Sequence, residues 1–166
     1  PERLKPNTLV ALPEISSDFR RYTLRVRPGI FFADDPAFGG QPRELTAADY
    51  AYALKRHYDP RWRSPHLQTL ESAGLLGLGA LRQRALATGR AFDYDAEVEG
   101  LRVLDRYTLQ LRFARPRPRF SFELADASWC VAVAREVVEA YGDRIGEHPV
   151  GTGAYRLTRW LRASRI

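Results

Sequence analysis

The chain has 166 residues, 45% of them apolar, and a formal net charge of +6. This length fits one domain or one lobe of a larger protein and allows a core of useful size. No apolar run approaches the ~20 residues that span a bilayer, which argues against a membrane helix, and the single cysteine, Cys130, excludes an internal disulfide.

In chain order, residues 9–12, Leu-Val-Ala-Leu ahead of Pro13, read as a short buried strand. Ser16, Ser17 and Asp18 signal a turn. An antiparallel pair is expected across it, with Ile15 and Phe19 packed alongside. Tyr22, Leu24 and Val26 alternate with Thr23, Arg25 and Arg27, a period of two with one apolar and one wet face. Pro28 and Gly29 end this strand, because Pro lacks a backbone donor and Gly permits a sharp turn. Ile30, Phe31 and Phe32 are expected to tuck under the core, before a polar loop over 33–44. Thr46 opens a helix: its hydroxyl is placed to accept from the Asp49 amide, and the Asp49 carboxylate lies at the positive helix end. Ala47, Tyr50, Ala51, Leu54 and Tyr58 share one stripe, and Asp59-Pro60 stops the helix.

Beyond an irregular connector over 61–65, residues 66–72 open a helix that Gly74, Gly77 and Gly79 weaken. Residues 78–87 make a better one, with Leu78, Leu81, Ala85 and Leu86 inward and Gly89 as its left-handed close. Segments 98–104 and 107–113 form the clearest hairpin, with Leu101, Val103, Tyr107, Leu109, Leu111 and Phe113 on one face and Asp105-Arg106 at the turn. Pro116 and Pro118 forbid a regular strand after it. Phe120, Phe122 and Leu124 fall on a short helical or extended piece, and residues 129–133 on a buried strand or connector. Residues 135–141 read as a helix closed by Gly142, residues 149–153 as a tight turn, and residues 155–161 as a final strand. Antiparallel strands with interspersed helices indicate an α+β fold, mainly an antiparallel sheet with packed helices.

The candidate chemistry is sparse. His57, His66 and His148 lack the ligand spacing of a zinc site, so no metal and no cofactor is expected. Asp34-Asp35 and Asp93/Asp95 are acidic pairs in turns, where such residues serve local hydrogen bonding. Gly151-Thr-Gly153 has neither the Lys-Ser/Thr partner nor the following helix of a phosphate loop. No Gly-x-Ser-x-Gly elbow is present, and Cys130 sits among apolar residues without an adjacent base. The positive charge is almost entirely arginine and is spread along the chain without a nucleic-acid-binding motif, so it reads as solvated surface. No signal-peptide pattern is read within these 166 residues, which carries no expectation about location. The chain starts at Pro1 and contains no Met, which suggests a processed or excised segment.

Several stretches together resemble the family 5 extracellular solute-binding proteins, the oligopeptide and dipeptide receptors of ABC importers. They are Tyr22-Thr-Leu-Arg-Val-Arg-Pro-Gly-Ile30, the 45–56 helix, Asp59-Pro60 and Ser64-Pro65. The 98–111 hairpin, the 114–120 turn, the 135–142 helix and Pro149-Val-Gly-Thr-Gly-Ala-Tyr155 continue the likeness. It implies the small accessory lobe of a class II, cluster C type periplasmic binding protein over residues 1–130. Residues 131–166 would return toward the main ligand lobe, and the second ligand lobe would lie outside this chain. It also implies a periplasmic or extracellular location, membrane-associated through the transporter, with a peptide or other small solute and an ABC permease as partners. No catalysis and no nucleic acid are implied. His66 and the 126–130 segment would face the cleft, which makes His66, Asp126, Trp129 and Cys130 the ligand-cleft candidates. Ala132-Val133-Ala134 departs from the family's usual Val-Pro-Lys or Val-Pro-Arg, and the 34–40 loop is longer than in many members. The competing expectations are a basic nucleic-acid-binding domain and a small hydrolase.

Overall fold

The computed structural model describes residues 3–158. Its centre is a four-stranded antiparallel sheet made of β1 (Glu14–Ile15), β2 (Arg21–Arg25), β3 (Leu101–Asp105) and β4 (Thr108–Arg112), in the order β1-β2-β4-β3. Tyr22 lies opposite Leu111, and Leu24 opposite Leu109. The apolar face of the first periodic strand therefore meets that of the hairpin, and all four residues are buried. Among the described residues five α-helices are interspersed with the strands: α1 (Ala47–Tyr58), α2 (Leu67–Ala73) and α3 (Leu78–Thr88) between β2 and β3, then α4 (Phe120–Glu123) and α5 (Arg135–Tyr141) after β4. Helix α1 packs on β3 and β4. The α+β expectation holds.

The α1 start follows from a capping box: the Thr46 amide and hydroxyl both donate to Asp49 Oδ2, at 2.7 and 2.9 Å. Its stripe is buried as expected except at Tyr50, which is half-buried; Tyr52 and Ala53 are buried as well. Tyr22, Phe113 and Phe120 meet edge-to-face with centroids 4.5–5.8 Å apart and fill the core beneath β2 and β4. Gly100 sits against the backbone between α2 and α3, where a Cβ would lie 2.3 Å from Leu76 N, so no larger residue fits there.

Several local expectations need correction. Residues 9–12 are not a buried strand: only Leu9 bridges to Val26, the regular pairing falls at β1, and Val10 and Leu12 are exposed. Pro13 interrupts the pairing, and this side is the sheet edge, so nothing among the described residues covers those side chains. Ile15 and Phe19 are exposed too; Phe19 takes a left-handed φ of 55° to close the turn. Phe31 and Leu86 face outward, whereas Phe32 is buried. In the hairpin the turn is Arg106-Tyr107, because Asp105 pairs with Thr108. β3 buries only Leu101; a register shift between Val103 and Asp105 on this edge strand leaves Val103 exposed. Residues 120–123 are a helical turn and residues 130–134 an irregular connector. Residues 155–158 are not a strand, and the rest of the expected final strand lies outside the described residues.

Candidate ligand-cleft wall

Two of the four cleft candidates, His66 and Trp129, meet His57 near the C-terminal end of α1. Asp59 closes that helix, its carboxylate accepting from the Arg61 amide at 2.9 Å, and a 3-10 turn at Pro60–Trp62 redirects the chain toward Ser64. Ser64 Oγ then accepts from the His66 amide at 3.2 Å, fixing the entry to α2. On the other side the chain leaves α4 through a turn in which the Asp126 carboxylate accepts from the Ser128 amide at 2.8 Å. The Cys130 amide donates to the Asp126 carbonyl at 3.2 Å.

His57 joins these two segments. Its Nε2 lies 3.0 Å from the Trp129 carbonyl, which can only accept, so Nε2 carries the proton. Its Nδ1 then accepts from the Ser64 hydroxyl at 2.6 Å. The His66 ring stands edge-on to His57, with centroids 5.7 Å apart and planes at 89°. Burial pulls the His57 pKa below its ordinary value; the Trp129 carbonyl opposes the shift, and the nearby His66 and Arg56 reinforce it.

Each candidate offers something different. His66 is half-buried and Asp126 exposed, so both side chains reach the surface. The Ser128 amide, the main cause, holds the Asp126 carboxyl below its usual range, with a contribution from His66. The Trp129 ring is 5% exposed and packs on Phe120, so its link to this wall is the carbonyl held by His57. Cys130 lines an apolar cavity of about 80 Å³ with Leu9, Leu24, Val26, Leu54 and Leu109. Burial, with Asp126 adding to it, pushes the thiol up to about 12, so it stays protonated at neutral pH. Among the described residues no group of three or more His, Cys, Asp or Glu side chains is placed to hold a metal ion.

Sequence reasoning weighed His57 only as a metal ligand and missed its bridging role. The available signal was its place beside Leu54 and Tyr58 at the edge of the apolar stripe of α1. A second clasp was missed entirely. At the N-terminal end of α1, Arg43 makes two hydrogen bonds to Asp49, at 2.6 and 3.1 Å, and two to Glu136 of α5, at 2.8 and 3.3 Å. The Val133 amide donates to the Asp49 carbonyl nearby. The 126–136 crossing is thus tied to both ends of one helix.

The model of the family described as bacterial extracellular solute-binding proteins, family 5 middle, matches residues 3–166. The chain belongs to that family. It is 29% identical over 155 residues to the probable deoxycholate-binding periplasmic protein YgiS of Escherichia coli K12, covering 92% of this chain and 26% of that one. It is 27% identical over 163 residues to the periplasmic oligopeptide-binding protein OppA of Salmonella typhimurium, covering 97% of this chain and 27% of that one. The chain thus spans about a quarter of the length of these curated relatives. Among solved structures, Haemophilus influenzae OppA in complex with the peptide RPPGFSPFR shares the fold at a TM-score of 0.72 and 24% identity, over 96% of this chain and 28% of that one. The Escherichia coli murein tripeptide binding protein MppA gives a TM-score of 0.68 at 25% identity, over 94% of this chain and 27% of that one. No helix among the described residues is long and apolar enough to cross a membrane.

Proposed function

We propose that this chain serves as the accessory lobe of a solute-binding protein that works outside the cytoplasmic membrane, docks on an ABC permease and delivers a peptide or related small solute. The observation that carries this reading is the family match along residues 3–166, supported by a fold shared with peptide-binding relatives. In it, residues 1–130 form the lobe and residues 131–166 lead back toward the rest of the receptor. His66, Asp126, Trp129 and Cys130 contribute a partial cleft wall: His66 and Asp126 through exposed polar groups, Trp129 and Cys130 by setting the path of the backbone behind them. The role is binding and scaffolding. His57 has both ring nitrogens engaged, and the Cys130 thiol is half-buried and stays protonated, so neither is poised as base or nucleophile.

The test is binding by the polypeptide that carries this chain together with the sequence flanking it in its gene. Calorimetry against pooled di- to nonapeptides should give saturable one-to-one binding. His66→Ala and Asp126→Ala should change affinity or peptide preference while leaving the melting temperature in place. Absence of any peptide binding, combined with DNA binding that falls steeply with salt, would overturn the reading in favour of a phosphate-directed domain.

A further inference from the structure

A groove of about 670 Å³ lies where the Pro60–Trp62 turn, the C-terminal end of α3, the 90–94 loop and α5 meet. None of the four cleft candidates lines it. Its volume falls within the range of small-molecule sites. Trp62, Phe92, Tyr94 and Tyr52 supply its aromatic lining. These rings are held in place: Tyr94 packs 5.1 Å from Phe92 and 4.8 Å from Tyr52, centroid to centroid. Trp62 Nε1 donates to the Tyr94 hydroxyl at 3.0 Å, which in turn donates to Asp59 Oδ2 at 2.6 Å.

The charges along the groove are unequal in a useful way. Its two acids are already engaged. Asp59 accepts from Tyr94 and the Arg61 amide, and Glu139 pairs with Arg135 at 2.6 Å. Its two arginines are largely available. The Arg61 side chain is 58% exposed; it pairs with Asp143, itself 84% exposed, a pair that solvent weakens, and its guanidinium lies 4.9 Å from the Trp62 ring centroid. Arg90 is exposed and has no ion pair among the described residues. Behind Trp62, the Arg56 guanidinium lies 4.4 Å from the ring centroid and likewise has no ion pair there. Preset aromatic walls beside guanidinium groups that are unpaired at Arg90 and only weakly paired at Arg61 are complementary to a flat ring that carries a carboxylate.

We propose that this groove binds a small planar aromatic carboxylate, its ring against Trp62, Phe92 and Tyr94 and its carboxylate on Arg61 and Arg90. A neutral ring would leave Arg90 unpaired and Arg61 with only its solvent-weakened Asp143 pair, and an aliphatic acid would gain nothing from the aromatic lining. The site stands independently of the cleft wall and of the transport reading.

The experiment is a nuclear magnetic resonance titration of the full chain with indole-3-acetate and, separately, indole-3-acetamide, following the Trp62 indole N–H. Indole-3-acetate should shift that resonance saturably and bind about tenfold more tightly than the amide, the effect of one exposed charge-assisted contact. Arg61→Ala with Arg90→Ala should erase the preference while the melting temperature stays put, since both side chains are exposed. Equal affinity for acid and amide would overturn the proposal. So would a preference that survives the double substitution, shifts confined to Trp129, or no saturation.

Discussion

Helix α1 is held at its two ends by opposite means. At the N-terminal end the clasp is ionic: Arg43 bridges Asp49, whose side chain is 2% exposed, to Glu136 of α5. At the C-terminal end it is neutral: one imidazole joins the Ser64 hydroxyl to the Trp129 carbonyl. Both clasps hold the same crossing segment to the same helix. They differ in what is left behind when they open. Removing Arg43 strands a carboxylate that water cannot easily reach. Removing His57 strands a hydroxyl and a carbonyl at a half-buried site. Buried charges are costly to leave alone, neutral groups much less so.

That contrast orders the expected effects. Arg43→Ala should be the largest, about 3 kcal/mol, because the buried Asp49 side chain loses its bidentate partner. For a chain of this size that lowers the melting temperature by roughly 10 °C, readable by calorimetry. Arg43→Lys should recover only part of the loss, since an ammonium cannot form the planar fork to Asp49 and reach Glu136 as well. His57→Ala should cost less, about 1.5 kcal/mol, the price of two neutral hydrogen bonds that solvent partly replaces. Were the order of the two alanine variants reversed, the ionic clasp would be the lesser of the two.

The parts of this molecule that were legible in sequence are those in which partner residues stand close together in the chain. The capping box needs Thr46 and Asp49, three residues apart, and it formed. The inward face of β4 at Leu109 and Leu111 was read correctly, because this is a central strand with a neighbour on each side, although Thr108, expected on the wet face, is buried as well. Its hairpin partner β3 shows the same alternation in sequence, yet lies at the edge and carries a register shift, so Val103 has nothing to bury against. Residues 9–12 failed for the same reason at the opposite edge. The clasps were illegible because His57 and Trp129 are 72 residues apart, and Arg43 and Glu136 are 93. No local spacing announces such a pair. The four cleft candidates came from family likeness, and only the fold shows that a histidine outside that set touches two of them, His66 and Trp129.

Acid should separate the two clasps, and with a smaller effect than either alanine variant. Burial holds the folded His57 below its ordinary 6.5, so the unfolded chain takes up the proton more readily. Its contribution to stability is therefore complete above 6.5 and is lost as pH falls from there through the folded value. At the other end, burial works against the Glu136 charge, but the Arg43 hydrogen bonds outweigh it and keep the carboxyl below its ordinary 4.5. That contribution is complete above 4.5 and is lost only as pH drops through the folded value. Glu44, which accepts from the Gly29 amide, Arg106 and Tyr107, is likewise lowered, to about 2. Between 6.5 and 4.5, then, the neutral clasp loosens while the ionic one holds. Urea midpoints measured across that window should fall for the native chain and for Arg43→Ala by the same amount. They should stay nearly level for His57→Ala. A His57→Ala chain that loses stability as steeply as the native one would place the acid response elsewhere, with His66 the first residue to substitute next.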